Sequence, residues 1–237
     1  MQTVILAGGL ATRLRPITEK IPKALIEING IPFIDYQLNY LKKQGITNVV
    51  LCIGYLANQI VNYVGDGSSY GLKVVYSNDG EKLLGTGGSI KKAATFLDDD
   101  FFILYGDSFL PIEFPPIYNK FKLNKLPALM TILENKNQWD KSNVIFDGKQ
   151  INLYDKKTYS DTMNYIDYGL SICKKDVFTK MNCKIFDLAE VFTSLSKDKH
   201  LDFFEVHQRF YEIGSKQGIE DFSNFALKEF IQKRKES

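Results

Sequence analysis

The sequence predicts an α/β fold, a Rossmann-like, doubly wound and mostly parallel sheet, with a mixed β extension in its second half. Three observations carry that prediction. In the first half, apolar β-rich runs alternate with segments of helical periodicity, the order that produces a parallel sheet covered by helices. The opening run, Thr3 to Ala7, is apolar at consecutive positions, as a strand covered on both faces is. Beyond Asp107 the alternation loses its regularity and strand follows strand.

Taken in order, Thr3 to Ala7 is the first strand. Phe33, Ile34, Leu38, Leu41 and Ile46 then recur at helical spacing, and Gly45 suits the position just past a helix end. A second strand, NVVLCIG from Asn48, is followed by a short helix, Ala57 to Val64, and the turn GDGSSYG. KVVYS from Lys73 is the third strand, Ser89 to Phe96 a helix behind GTGG, and FFILYG, ending in Gly106 and Asp107, the fourth strand. Strand, helix, strand, helix, strand is half of a doubly wound sheet. In the second half Leu126 to Leu133, Ser142 to Phe146, Gln150 to Tyr154 and Tyr165 to Ile172 read as strands, with an Asp-Gly hairpin turn in FDGKQI. Helices from Asp187 to Lys197 and from Asp221 to Lys233 finish the chain. No repeat, low-complexity block or linker divides it, so residues 1–237 read as a single domain.

Charge and composition exclude several classes. A net charge of +2 over 237 residues gives no general pull toward nucleic acid or membrane, and only the tail KRKES is a basic cluster. There is no 18-residue apolar run, and no basic flank or cleavage pattern at the N-terminus, so the expected location is the cytoplasm. A homo-oligomer is compatible with the sequence. Cys52, Cys173 and Cys183 form no CxxC pair and read as reduced thiols, with Cys52 in the core. His200 and His207 stand seven apart, near two turns of a helix, without a third ligand close by, and read as ordinary polar residues.

The first 25 residues, MQTVILAGGLATRLRPITEKIPKAL, carry the chemistry. Gly8 and Gly9 let the backbone approach a ligand, because glycine can take φ > 0 and present N–H groups to an anion. Arg13 can grip a phosphate bidentately, and Lys23 adds a mobile point charge. Neither GxxxxGK[ST] nor GxGxxG fits GGLATR. The stretch instead resembles the nucleotidyltransferase family that makes activated sugars from a nucleoside triphosphate and a sugar 1-phosphate. Its signature, an apolar strand, Gly-Gly, a Thr-Arg pair, then Pro and Pro-Lys, is met by Gly8, Gly9, Thr12, Arg13, Pro16, Pro22 and Lys23.

That resemblance implies the nucleotide-diphospho-sugar transferase fold, with residues 1–108 as nucleotide-binding half and 109–237 as acceptor-binding half. It implies nucleotide contacts from Leu6, Ala7, Gly8, Gly9, Thr12 and Arg13. LGTGG adds Gly85, Thr86, Gly87 and Gly88, whose glycines give a flat base close backbone access; the plain alternative is a glycine loop opening a helix that Ser89 caps. LGTGG is similar to members that activate heptose or mannose, which inclines the reading to GTP, while related TGG loops serve UTP and CTP enzymes.

Asp107 leaves the C-terminal end of an apolar strand, where open α/β sheets place ligands, and a carboxylate there can hold Mg²⁺ together with substrate phosphates. The resemblance makes it a metal ligand. For the second ligand the family shows an aromatic residue, an Asp and a G[ST] pair; this chain has FYEIGS, placing Glu212 before Gly214 and Ser215. The longer side chain changes reach and denticity. On the acceptor side, YIDYGLSI and YDKK resemble the family's sugar-binding segment and EK step, implying Asp167, Tyr168, Gly169, Asp155 and Lys156. An exposed strand end and turn explains Asp155 equally well. Trp139 reads as a cover for the core.

The mechanism implied is in-line displacement at the α-phosphate, with no covalent enzyme intermediate. Arg13 and Lys23 are its catalytic cations: Arg13 on the triphosphate and departing pyrophosphate, Lys23 between the α-phosphate and the incoming phosphate, with Mg²⁺ on Asp107 and Glu212. The product would serve surface polysaccharide synthesis. Two other readings stay open: a cytidylyltransferase acting on a non-sugar phosphate, and a non-catalytic nucleotide-binding relative, which the Asp-to-Glu change at Glu212 favours.

Overall fold

A computed structural model describes residues 1–232 of the chain; the KRKES tail and the Lys233 end of the last expected helix lie outside the described residues. In chain order the elements are β1 (Gln2–Leu6), a short ribbon of β2 (Glu27–Ile28) and β3 (Ile31–Pro32), α1 (Phe33–Lys43), β4 (Asn48–Ile53), α2 (Ala57–Val64), β5 (Lys73–Asn78), α3 (Gly85–Lys92) and β6 (Asp100–Tyr105). The second half continues with β7 (Ser108–Phe109), α4 (Phe114–Leu123), β8 (Ala128–Glu134), β9 (Val144–Phe146), β10 (Ile151–Tyr154), β11 (Tyr165–Lys174) and α5 (Asp176–Thr179). It ends with α6 (Leu188–Lys197), β12 (Leu201–Val206), β13 (Tyr211–Glu212) and α7 (Lys216–Ala226).

The sheet is parallel where the sequence alternates and mixed where it does not. β1 pairs in parallel with β4 on one side and β6 on the other, and β4 pairs in parallel with β5. The chain therefore winds outward from β1 to β5 and then returns past β1 to β6. This reversal is a topological switch point, and the loops leaving β1 and β6 diverge to form a crevice there. β11 joins β6 antiparallel and carries the sheet on to β8, β9 and β10, while β12 adds to β8 in parallel.

The consecutive apolar positions of the strands follow from burial on both faces. Successive side chains of a strand point to opposite sides: Ile5 packs with Ile34 and Leu38 of α1, Ile60 of α2 and Ile117 of α4. Val4 packs with Ile90 of α3, Phe178 of α5 and Phe192 of α6. A third cluster joins Phe222 and Ala226 of α7 to Phe33, Tyr36, Phe109 and Ile213. It seats α7 beside the antiparallel β7–β13 ribbon. Among the described residues, no helix is long and apolar enough to cross a membrane.

Several expectations are corrected. Gly85 to Gly88 form the first turn of α3 rather than a loop before it, and Ser89 is a mid-helix residue whose hydroxyl donates to Asp79 and to the Gly85 carbonyl rather than a cap. The last stretch is not helix alone, because β12 intervenes. His200 and His207 are exposed residues flanking that strand, so about 23 Å of extended chain separates them. The final helix starts at Lys216, capped by Ser215, whose side chain accepts from the Gly218 N–H. The three cysteines are unpaired and Cys52 is buried, as expected; Cys173 is buried as well, and Cys183 is exposed.

Candidate active site

The loop after β1 is tied to the end of β4. Ala7 N–H donates to the Cys52 carbonyl at 2.8 Å, and Tyr55 N–H to the Gly8 carbonyl at 3.4 Å. Glycine at position 8 answers to this closeness rather than to φ, because an added Cβ would stand 3.3 Å from the Gly54 nitrogen. Neither Gly8 nor Gly9 has positive φ; the left-handed residue of the loop is Ala11, at φ 49°. Thr12 and Arg13 follow on an exposed 3-10 turn, with the loop held by Thr18, whose hydroxyl donates to the Ala11 carbonyl at 2.8 Å.

Two cavities open at the switch point. The first, about 240 Å³, is lined by Leu6, Ala7, Gly8 and Gly9 from the β1 loop, by Lys23, and by Gly85 and Thr86 of α3. The second, about 420 Å³, is lined by Arg13, Lys156, Asp167, Tyr168, Gly169 and Glu212, among others. Both reach Tyr105 and Asp107 at the end of β6. Tyr105, unremarked in the sequence, is the wall between them. Burial pushes its phenol up to about 12, so it stays neutral, and its hydroxyl accepts from Lys156 Nζ at 3.5 Å.

The cations and carboxylates converge on that wall. Lys23 Nζ lies 2.9 Å from Asp107 Oδ2. The β7–β13 ribbon pairs Glu212 with Ser108, and Ile213 N–H donates to the Asp107 carbonyl at 2.9 Å. A methyl group on Gly214 would stand 3.4 Å from both an Arg13 guanidinium nitrogen and Lys23 Nζ, and 2.7 Å from Glu212 Oε2. Arg13, Lys23 and Glu212 thus surround one glycine. The Glu212 carboxylate accepts from the Gly214 N–H and from Ser215 Oγ, which orients it at the start of α7.

These residues fit a magnesium ion in one respect. Asp107, in the turn between β6 and β7, and Glu212, on β13 opposite Ser108, line the same cavity, and two hard carboxylates completed by phosphate oxygens are an ordinary Mg²⁺ environment. Among the described residues no group of three or more acidic, histidine or cysteine side chains could hold a metal. Phosphate oxygens would therefore complete the shell.

The acceptor-side residues divide. β11 shifts register between Asp167 and Ser171, and Gly169 takes φ +104° within that bulge. Asp167 Oδ1 accepts from the Gly169 N–H at 3.0 Å, while Oδ2 lies 3.5 Å from Lys156 Nζ. Tyr168 directs its hydroxyl to the Arg209 carbonyl at 3.4 Å. Asn143 is a cavity residue the sequence reading missed; its Oδ1 accepts from the Asp167 N–H at 2.9 Å.

Asp155 is not brought to this group. Its Oδ1 accepts from the Lys157 N–H at 2.7 Å and the Thr158 N–H at 3.2 Å, a turn role, and it faces a different groove. Gly87 and Gly88 likewise do not line the first cavity, and both N–H groups donate to the Phe186 carbonyl. Added Cβ atoms there would collide with the Phe186 ring and the Lys184 carbonyl. Trp139 is no core cover either, being 39% exposed with the Arg209 guanidinium 4.1 Å over its ring at the edge of the second cavity.

The profile of the nucleotidyl transferase family matches residues 2–215. The D-glycero-alpha-D-manno-heptose 1-phosphate guanylyltransferase of Campylobacter jejuni is 35% identical over 180 residues, 75% of this chain and 78% of that one. The enzyme of the same name from Aneurinibacillus thermoaerophilus is 31% identical over 179 residues, covering 75% and 76%. The solved structure of HddC from Yersinia pseudotuberculosis complexed with GMP-PN matches with a TM-score of 0.75 at 25% identity, covering 94% of this chain and 98% of that one.

Proposed function

The chain belongs to the nucleotidyl transferase family, and we propose that it joins GTP to a sugar 1-phosphate, releasing pyrophosphate and leaving a guanosine-diphosphate sugar for surface polysaccharide synthesis. The observation that carries this reading is the meeting of two cavities at Tyr105 and Asp107, with Lys23 in the first and Arg13 in the second. One cavity suits a nucleotide and the other a phosphorylated acceptor.

In the proposed reaction an acceptor phosphate oxygen attacks the α-phosphorus. The bond from that phosphorus to the oxygen bridging to the β-phosphate breaks, and pyrophosphate leaves with the electron pair. Bringing two polyanions together is the obstacle, so positioning and charge neutralisation supply the rate. Lys23, at the junction, serves the α-phosphate and the incoming phosphate; Arg13, which lines the second cavity but meets Lys23 around Gly214 where the two cavities join, serves the triphosphate and the leaving group. Mg²⁺ bound by Asp107 and Glu212 would offset charge on the same phosphate oxygens. Leu6, Ala7, Gly8, Gly9, Gly85 and Thr86, which line the first cavity, contact the nucleotide, with the exposed Thr12 outside both cavities in the same loop, while Lys156, Asp167, Tyr168 and Gly169 receive the acceptor. Gly87, Gly88 and Asp155 leave the proposal for the reasons of geometry given above.

The test is pyrophosphate release from GTP, CTP, UTP, dTTP and ATP, with Mg²⁺ or with EDTA, against pooled sugar 1-phosphates and pooled non-sugar phosphates. The expected signal is Mg²⁺-dependent, with GTP and the sugar pool. Signal only with the non-sugar pool moves the chain to the other acceptor class, and nucleotide binding without release makes it a binding protein.

A further inference from the structure

Each cavity is lined by one aspartate that has a buried carboxylate oxygen without a hydrogen-bond partner. In the second it is Asp167 Oδ2, which has Lys156 Nζ at 3.5 Å. In the first it is Asp79 Oδ1, on a residue only 8% exposed. Asp79 follows the end of β5 and lines the cavity with Cys52, Leu83, Gly85 and Ser89. Its other oxygen accepts from the Leu84 N–H at 3.2 Å and the Ser89 hydroxyl at 2.8 Å, which fixes the carboxylate. Lys92 Nζ donates to the Asp79 backbone carbonyl at 3.1 Å rather than to the carboxylate. A buried acceptor without a donor is a standing cost to the fold, and a ligand that brings the donor removes it.

We propose that Asp79 is the base-reading residue of the nucleotide cavity, its free oxygen accepting from the N1–H and 2-amino edge of guanine. The inference rests on the nucleotidyltransferase reading above. Guanine places two donors side by side on that edge. Uracil and thymine flank their N3–H with carbonyls, and adenine and cytosine set the amino group beside an accepting ring nitrogen. Each of these turns an acceptor toward the carboxylate. A site built around a buried polar group rejects an analogue that leaves it unpaired far more strongly than an apolar pocket rejects a change of shape. Gly85 and Thr86, in the first turn of α3, line the same cavity, and first-turn N–H groups have no intrahelical partner. They are suited to the O6 carbonyl.

The test is calorimetric binding of GMP, XMP and UMP to the intact chain and to Asp79→Asn. XMP carries a carbonyl where GMP carries its amino group. The wild-type chain is expected to bind GMP at least about 10-fold more tightly than XMP or UMP. Asp79→Asn is expected to lose about 10- to 100-fold in GMP affinity and to gain for XMP, because the amide can donate to that carbonyl. Ligand ionisation is the same for both proteins and cancels from the change in ratio. A GMP-to-XMP ratio that the substitution leaves unaltered overturns the role of Asp79 alone. A wild-type chain that does not prefer GMP to UMP overturns it together with the choice of GTP, whereas the nucleotidyltransferase reading falls only by the pyrophosphate assay. Should Asp79→Asn fail to fold, the wild-type comparison decides: XMP bound as tightly as GMP overturns the proposal, and rejection of XMP supports it.

Discussion

Lys23 Nζ lies 2.9 Å from Asp107 Oδ2, joining the loop after β1 to the end of β6 across 84 residues of sequence. The pair is partly exposed, at 18% and 30% of the two side chains, and such ion pairs contribute about 0–1 kcal/mol to stability. Its significance is placement: a cation and a carboxylate stand where the two cavities meet.

Lys23→Ala is therefore expected to lower kcat by about 100- to 1,000-fold, the usual cost of one transition-state charge contact, with little change in Tm. Lys23→Arg should not restore the rate, because a guanidinium does not replace a compact ammonium here. Steady-state kinetics beside thermal melting checks both halves.

Asp107→Asn is expected to cut turnover by orders of magnitude with the fold retained, and to raise the Mg²⁺ concentration needed for half-maximal rate. Near-normal turnover in the folded variant removes Asp107 from the metal role.

Gly218 leaves no space for a side chain, since an added Cβ would collide with Glu212 Oε1 and the Glu212 carbonyl. Gly218→Ala should destabilise by about 1–3 kcal/mol through overpacking, visible as a lower Tm. It should also displace the Glu212 carboxylate, so activity falls further than stability explains. A variant with wild-type Tm and rate contradicts the close approach.

Lys156 and Asp155 are neighbours in sequence with opposite fates. Lys156→Ala should raise KM for the acceptor about 10- to 100-fold and leave KM for the nucleotide nearly unchanged. Asp155→Ala should change neither constant. It should instead act on stability, because hydrogen bonds from Lys157 and Thr158 hold the Asp155 carboxyl below the ordinary carboxylate range. A lowered folded pKa means the contribution is complete above the unfolded value of about 3.9 and is lost as pH falls through the folded pKa. The Tm difference between wild type and Asp155→Ala should thus be present at neutral pH and close in acid.

The core strands were legible because burial on both faces forces consecutive apolar residues, as in β1 and β4. α4 was not, since Pro115 and Pro116 look like breakers although proline is tolerated in the first turn, where they stand. β12 was not read as a strand, since Asp202 and Glu205 interrupt its apolar run. The glycines of LGTGG were legible as a demand for space, but the sequence could not say whether a base or Phe186 occupies it. Asp155 against Lys156 is the same difficulty at a strand end, where one residue of register decides which side chain enters the cavity. The pairing of Glu212 with Ser108 depends on a two-residue ribbon, too short to leave a pattern.

The central claim is nucleotidyl transfer at the α-phosphate, and the most direct measurement is the fate of label from GTP. With a sugar 1-phosphate and Mg²⁺, α-labelled GTP should deliver its label to the sugar nucleotide, and γ-labelled GTP should deliver its label to pyrophosphate. Label from the γ-position on the sugar, or release of inorganic phosphate with guanosine diphosphate, would contradict the account.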